Sequence, residues 1–376
     1  MIYVDNAATT KLDSEVFQAM TPYLTDLYGN PSSRYRMAVE SKKAINNARV
    51  KIADIIGAKE NEIFFTSGGS EADSWVINAY ADILGKKQVI TTAIEHHAII
   101  NSCEAIRRKG VPVKYLSVNR EGIIAEEELK RVLKKETSIV SIAYANNEIG
   151  TIQNIKSLSE IAHEYHTLFH TDAVQAIGHE NINVNELGVD LLSASAHKFN
   201  GPKGMGFLYK KQDAKITSLI YGGKQEKGVR GGTENVASIV GMAVALENNI
   251  KHLNTIKEQV VKLEQFVREK ISNRIEDIIF NGNYNKHMSG NISVSFRDID
   301  AEALINLLDI RGVCVSAGSA CNEGTDEVSH VLRGIGLPKE YMKGTIRISI
   351  GKYNTLQEME EMCDIIEESV KLLRRK

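Results

Sequence analysis

Ser195-Ala196-His197-Lys198 is the stretch from which the rest of the chain is best interpreted. It follows an apolar run at residues 190–194 that predicts a buried strand, and it precedes a turn-forming run at residues 200–204. A lysine at the end of a buried strand loses hydration of its charged form, so this position favours a chemical role. The alternative is a solvated lysine beside a turn, and Lys198 alone does not decide between the two.

Asp172 lies 26 positions earlier and also follows a predicted strand, at residues 168–171. Asp172 and Lys198 are therefore both expected at strand ends that face one site. A lysine that forms a Schiff base and an aspartate that pairs with a pyridinium nitrogen are the two protein groups that pyridoxal phosphate requires. Together they predict this cofactor, provided that the surrounding motifs agree.

Composition restricts the class of protein. The 376 residues allow about two domains, and 43% hydrophobic with 25% charged residues is typical of a soluble globular protein. A net charge of −2 does not indicate nucleic acid or an anionic membrane as partner. No membrane span or signal peptide is recognisable, so we expect a cytoplasmic protein. The four cysteines form neither a disulfide scaffold nor a zinc motif, which predicts free thiols and no metal site.

Strand and helix patterns alternate between about residues 15 and 250. Predicted strands cover residues 62–66, 88–92, 113–117, 139–144, 168–171, 190–194 and 206–209, and predicted helices cover residues 71–84, 98–109, 125–134 and 157–166. This alternation predicts an α/β fold whose large domain, residues 15–250, contains a mostly parallel seven-stranded sheet.

A long polar, helix-prone run at residues 248–274 is suited to joining this domain to a second one. The later patterns predict strands at residues 290–296 and 345–349 and helices at residues 301–311 and 356–373. Residues 1–14 and 251–376 are therefore assigned to a smaller α+β domain.

Polar residues follow several predicted strands. Gly69 and Ser70 open a helix after residues 62–66, where backbone amides can bind a phosphate or form a capped turn. His96 can stack on a ring or transfer protons, or lie on an ordinary surface. Asn147 can bind a ligand or form a turn. Because ligands of open α/β sheets bind at the carboxyl ends of strands, this regularity indicates a single cleft.

Two further residues are candidates in the smaller domain. Cys321 lies in a run of small residues that is too poor in bulky apolar side chains for a core, which predicts an accessible nucleophilic thiol. The other three cysteines, Cys103, Cys314 and Cys363, are predicted to be inert packing residues. Arg347 alternates with apolar neighbours on a predicted strand, where its guanidinium can hold a substrate carboxylate or form a structural ion pair.

Taken in order along almost the whole chain, these motifs resemble the cysteine desulfurases of the NifS/IscS type. This family belongs to the class V aminotransferase group of fold-type I pyridoxal phosphate enzymes. The matching segments are residues 3–10, 29–33, 68–71, 95–96, 146–150, 172–175, 195–198, 230–235 and 318–321, together with Arg347. Each segment is weak alone, whereas the ordered set is specific to the family.

The resemblance implies an activity and a role for each motif. It implies that L-cysteine is converted to L-alanine and that the sulfur stays as a persulfide on Cys321. Lys198 would bind pyridoxal phosphate covalently and move protons, and Asp172 would pair with the pyridine nitrogen. His96 would stack on the ring, and Gln175 would hydrogen-bond the phenolic oxygen. The implied phosphate ligands are Gly69, Ser70, Ser195, His197 and, from a second subunit, Thr233; the implied substrate ligands are Asn147 and Arg347.

A phosphate ligand from a second subunit implies a homodimer, and a persulfide implies an acceptor protein, either an iron–sulfur scaffold or a thiolation protein. The chain departs from common family residues at Tyr35, Ser74, Lys224 and Val328, which leaves the acceptor open. A selenocysteine lyase or another class V enzyme is the alternative, although Cys321 disfavours a plain aminotransferase. A non-catalytic docking protein is a further alternative, disfavoured by the intact Lys198.

Overall fold

A computed structural model describes residues 1–83, 87–317 and 328–374. The strands are β1 (Ile2–Tyr3), β2 (Ile63–Thr66), β3 (Gln88–Thr92), β4 (Val113–Leu116), β5 (Thr137–Ser141), β6 (Leu168–Asp172), β7 (Leu191–Ser195), β8 (Gly206–Lys210), β9 (Ile278–Asn281), β10 (Asn291–Phe296), β11 (Val313–Cys314), β12 (Ser316–Ala317) and β13 (Thr345–Ser349). The helices are α1 (Ser14–Thr25), α2 (Arg36–Ile56), α3 (Gly69–Ile83), α4 (His97–Arg108), α5 (Glu126–Val132), α6 (Ile155–Glu164), α7 (Val184–Leu187), α8 (Val236–Lys251), α9 (Leu253–Arg274), α10 (Ala301–Ile310), α11 (His330–Gly334), α12 (Lys339–Met342) and α13 (Leu356–Arg374).

The seven strands predicted for the large sheet all form, in the order β2-β8-β7-β6-β5-β3-β4. Neighbours run parallel except where β8 pairs antiparallel with β2 and β7. Every residue of β2, β5 and β7 is buried, because helices cover both faces of the sheet. One face packs in the cluster that contains Trp75 and Tyr80, and the other in the cluster that contains Phe169 and Phe207. The predicted fold class is confirmed.

The second sheet is antiparallel, in the order β12-β13-β10-β9. It shares an apolar core with one face of α9 and with α10 and α13. The N-terminal strand β1 pairs with β11, so that Ile2 lies opposite Val313 and the first residues join the C-terminal part of the chain. The predicted domain boundaries near residues 14 and 251 stay a prediction.

The predicted helical run at residues 248–274 is divided in the structure. It breaks at His252, whose φ of −109° and ψ of 12° separate α8 from α9. The break follows from packing: α8 is buried in the core of the large sheet, whereas Val260, Val267 and Ile271 of α9 face the core of the second sheet. Across the described ranges, no helix combines the length and the apolar character that a membrane span needs.

Candidate functional site

The carboxyl ends of the parallel strands open into one cavity of about 400 Å³. The predicted site residues that line it are Gly69, Ser70, His96, Asn147, Asp172, Gln175, Ser195, His197, Lys198 and Arg347. Thr233 is exposed and is not among the described residues that line this cavity. Cys321 lies outside the described residues.

Lys198 ends a short 3₁₀ turn that directly follows β7. Its Nζ donates hydrogen bonds to the carbonyl oxygens of Ala7 (2.6 Å) and Ala8 (2.8 Å). The Gln175 side-chain amide donates to the same Ala7 oxygen at 3.0 Å. The lysine amine is therefore oriented by the N-terminal segment, which crosses the cavity next to the large sheet.

Asp172, the last residue of β6, and His96, in the segment between β3 and α4, line the same cavity. The backbone N–H of Val174 donates to Asp172 Oδ1 at 2.9 Å. Burial raises the pKa of Asp172, and the backbone hydrogen bond from Val174 and the attraction of Lys198 partly oppose this effect. His96 caps α4, with its Nδ1 accepting from the backbone N–H of Ala98 at 3.1 Å. Burial lowers the pKa of His96, so the ring is neutral and carries its proton on Nε2.

One end of the site has the character of an anion-binding cradle. Helix α3 begins at Gly69, so its unpaired N–H groups and the Ser70 hydroxyl lie beside Ser195. His197 hydrogen-bonds Thr9 Oγ1 through Nδ1 at 3.2 Å, and burial lowers the pKa of this imidazole to about 4. The cradle therefore combines neutral hydrogen-bonding groups at the end of a helix with two charged side chains, Glu71 and Lys203.

The opposite end of the site is formed by Arg347 on β13. Its Nη2 contacts Asp5 Oδ1 at 2.8 Å, and its Nη1 donates to the carbonyl oxygen of Asn147 at 3.1 Å. The side chain is almost fully buried, yet its Nε has no hydrogen-bond partner among the residues that the structure describes. The contacts therefore support both predicted roles of Arg347. It forms an ion pair with Asp5, and its Nε–H is left to donate to a ligand.

Three buried carboxyl groups in the cavity wall were not predicted as site residues: Asp73, Glu95 and Glu148. Glu95 accepts from the Thr92 hydroxyl at 2.7 Å, and burial raises its pKa to about 8. Burial raises the pKa of Glu148 to about 7. Two features of the sequence could have identified two of these residues as lining the site. Asp73 comes four residues after Gly69 and so shares its helix face, and Glu148 directly follows Asn147.

The three cysteines other than Cys321 differ in how far their side chains are exposed to solvent. Cys103 and Cys363 are buried, as predicted, whereas the prediction of a buried Cys314 is wrong because β11 lies near the surface and leaves this side chain partly exposed. The segments on either side of Cys321 reach the cavity wall. Ser316 of β12 pairs with Arg347, and the Ser329 hydroxyl donates to Glu148.

The residues of this cavity fit pyridoxal phosphate. An amine, a buried carboxyl group and a neutral imidazole surround one volume, with the helix-end cradle beside them for a phosphate. The two carbonyl contacts of Lys198 hold its amine in this volume. In this arrangement the amine suits the aldehyde of the cofactor, the carboxyl group suits its ring nitrogen, the imidazole suits the face of its ring, and the cradle suits its phosphate.

Comparisons with known proteins agree with this chemistry. The class-V aminotransferase family matches residues 2–362. A protein of Dictyoglomus turgidum named cysteine desulfurase IscS is 45% identical over 99% of this chain and 95% of its own length. A solved NifS-like protein has a TM-score of 0.94 and 37% identity, covering 99% of this chain and 100% of its own. A structure of SspA in complex with cysteine has a TM-score of 0.84 and 34% identity, covering 94% and 100%.

Proposed function

As a member of the class-V aminotransferase family, and of the cysteine desulfurases within it, this chain is a pyridoxal phosphate enzyme, and we propose that it converts L-cysteine to L-alanine and retains the sulfur as a persulfide on Cys321. One observation carries the proposal. A single cavity is lined by Lys198, Asp172 and His96 beside an anion cradle, and the segments that flank Cys321 end at its wall.

Lys198, Asp172 and His96 would hold the cofactor, together with Gln175. Bound there, pyridoxal phosphate supplies an electron sink for the substrate carbon atoms. The amine of Lys198 would hold the cofactor covalently and would be placed to move protons at the substrate. Neutral His96 presents its ring rather than a second positive charge, because burial lowers its pKa.

Arg347 and Asn147 are proposed to orient the bound cysteine. The unpartnered Nε of Arg347 is a buried donor that a substrate carboxylate would satisfy. The ion pair with Asp5 holds the guanidinium in place before the substrate arrives. The arrangement therefore favours a small amino acid whose carboxylate lies at the Arg347 end and whose amine faces Lys198.

Cys321 is proposed to accept the sulfur. Its thiolate attacks the substrate sulfur, so that an S–S bond forms and the C–S bond breaks, and the carbon that receives the electron pair takes up a proton to become the alanine methyl group. Cys321 follows Ala317 by four residues, and a chain spans at most about 3.6 Å per residue. Ala317 belongs to β12, which pairs with the strand that carries Arg347.

The partners proposed are a second copy of this chain and a sulfur-acceptor protein. Thr233 is exposed and so is available to a neighbouring subunit, and Tyr221 is an exposed aromatic residue 86% accessible in the segment before it. An iron–sulfur scaffold or a thiolation protein would take the persulfide sulfur in the cytoplasm, where reduced thiols such as Cys103 are expected. Analytical ultracentrifugation of the purified protein tests the dimer, and a monomer at micromolar concentration would contradict it.

The decisive experiment compares Cys321→Ala with Cys314→Ala, a matched control at a partly exposed cysteine. Each protein receives pyridoxal phosphate, L-cysteine and a reductant, and alanine and sulfide are quantified together. We expect equal amounts of both products from wild type and from the control. We expect Cys321→Ala to keep the visible absorption of bound cofactor but to lose nearly all sulfide release. Equal turnover by the two variants would show that Cys321 is not the acceptor.

A further inference from the structure

Asp73 is a carboxyl group in the cavity wall that the proposed chemistry does not use. It lies on α3, is 1% exposed, and its Oδ1 has no hydrogen-bond donor among the described residues. It lines the same cavity as Asp172, the residue proposed to face the cofactor's ring nitrogen, and each of the two carboxyl groups shifts the pKa of the other. Two buried carboxyl groups in contact do not both ionise at neutral pH, because like charges repel strongly at low dielectric.

The groups around Asp73 do not supply a compensating positive charge. His170 Nε2 is 3.8 Å from Asp73 Oδ1, but its Nδ1 and Nε2 also face the hydroxyl groups of Ser141 (2.8 Å) and Ser193 (2.9 Å). Burial lowers the pKa of His170 to about 3, so the ring is neutral. Glu95 from the loop after β3 adds a further carboxyl group nearby.

The surroundings of Asp172 differ from those of Asp73. Asp172 accepts the backbone N–H of Val174 and faces Lys198, both of which favour its ionised form. Burial and the proximity of Asp172 raise the pKa of Asp73 well above its ordinary value, although a hydrogen bond with Ser193 acts to lower it. The proton shared by the two carboxyl groups is therefore expected on Asp73.

We propose that Asp73 is a positioning residue that stays protonated at neutral pH and donates a hydrogen bond to Asp172, which keeps Asp172 ionised and oriented toward the ring nitrogen of the cofactor. The inference rests on the proposed cofactor-binding role of Asp172. It assigns Asp73 to the support of Asp172 and not to contact with the substrate. A neutral side chain that donates from the same place should serve equally well.

The test compares Asp73→Asn, which keeps a neutral donor of the same shape, with Asp73→Leu, which removes it. The protein is stripped of cofactor and titrated with pyridoxal phosphate, and binding is followed by visible absorption at several pH values. We expect Asp73→Asn to bind within about threefold of wild type and Asp73→Leu to bind roughly 10- to 100-fold more weakly, the range for a hydrogen bond to a charged group. Thermal unfolding of the cofactor-free proteins shows whether each variant folds.

Infrared difference spectroscopy of the cofactor-free protein reports the proton directly. Wild type minus Asp73→Asn at pH 7.5 should contain one protonated-carboxyl band, whereas contributions from Glu95 and Glu148 cancel in the difference. Absence of this band, or weak binding by a folded Asp73→Asn, would overturn the inference even if Asp73→Leu does not fold. If wild type itself fails to bind pyridoxal phosphate, the proposed function fails instead, and the infrared band still decides the protonation of Asp73.

Discussion

Ser329 offers a prediction in which stability depends on pH in a calculable way. Its hydroxyl donates to the buried Glu148 carboxylate at 2.5 Å. The same oxygen accepts from the backbone N–H groups of Val331 (3.0 Å) and Leu332 (3.3 Å), which caps α11. Ser329→Ala therefore removes a helix cap and the hydroxyl partner of a buried carboxyl group in one substitution.

The two losses have different pH dependence. Loss of the cap lowers the free energy of unfolding by about 1 kcal/mol at any pH. Glu148 has a folded-state pKa raised from 4.5 to about 7 by burial, with the Ser329 hydrogen bond acting to lower it. In wild type the unfolded chain releases this proton first, so the contribution of Glu148 to stability falls between pH 4.5 and about 7 and is then constant. Without Ser329 the pKa rises further, and the fall continues above pH 7.

The size of the added effect follows from the lost hydrogen bond. A hydrogen bond to a charged group contributes about 1.5–3 kcal/mol, which corresponds to roughly 1–2 pKa units. At pH 6 Glu148 is protonated in both proteins, and we expect Ser329→Ala to lose about 1–2 kcal/mol. At pH 9, where a pKa raised by about 1–2 units leaves Glu148 of the variant only partly ionised, we expect an additional loss of about 1–2 kcal/mol.

Urea unfolding of the cofactor-free protein at pH 6 and pH 9 measures this difference. Asp300→Ala is the matched control, because Asp300 caps α10 through the backbone N–H of Ala303 at 2.9 Å but is exposed and has no buried carboxyl partner. The control should lose about 1 kcal/mol at both pH values. Equal losses for Ser329→Ala at pH 6 and pH 9 would refute the argument.

Three other substitutions test the fold and the substrate end of the site. Glu226→Ala removes the carboxylate partner of the largely buried Arg49 and the acceptor of the Phe65 backbone N–H, and should lower the free energy of unfolding by about 3–5 kcal/mol. Glu247→Ala breaks an exposed ion pair and should lose under about 1 kcal/mol in the same urea titration. Gly206→Ala places a Cβ 2.8 Å from the Cα of Gly68 and should lose roughly 1–3 kcal/mol, so an unchanged urea midpoint contradicts the close packing. Arg347→Lys removes the Nε–H that is proposed to hold the substrate carboxylate and should raise the KM for cysteine about tenfold or more, and an unchanged KM would argue against carboxylate binding there.

The predicted strands of the large sheet illustrate what a local pattern can show. Residues 88–92 and 168–171 are apolar runs bounded by polar or turn-forming residues, and both form strands within one residue of the prediction. By contrast, α2 was not predicted, although its residues Ala44, Ala48 and Ile52 form a buried stripe. Small alanine side chains between charged residues give a weak apolar signal, and only the close approach of α8 makes them a core.

The candidate site likewise has some features that follow from local sequence and others that depend on the folded chain. The sequence by itself determined the sheet, the cofactor class and the positions of Lys198 and Asp172 at strand ends, because residue type and strand periodicity are local properties. Only the tertiary structure decided that Asp73 faces Asp172 and that Ser329 caps a helix while it contacts Glu148. These contacts join residues distant in the sequence, and their protonation depends on burial, which no local pattern contains.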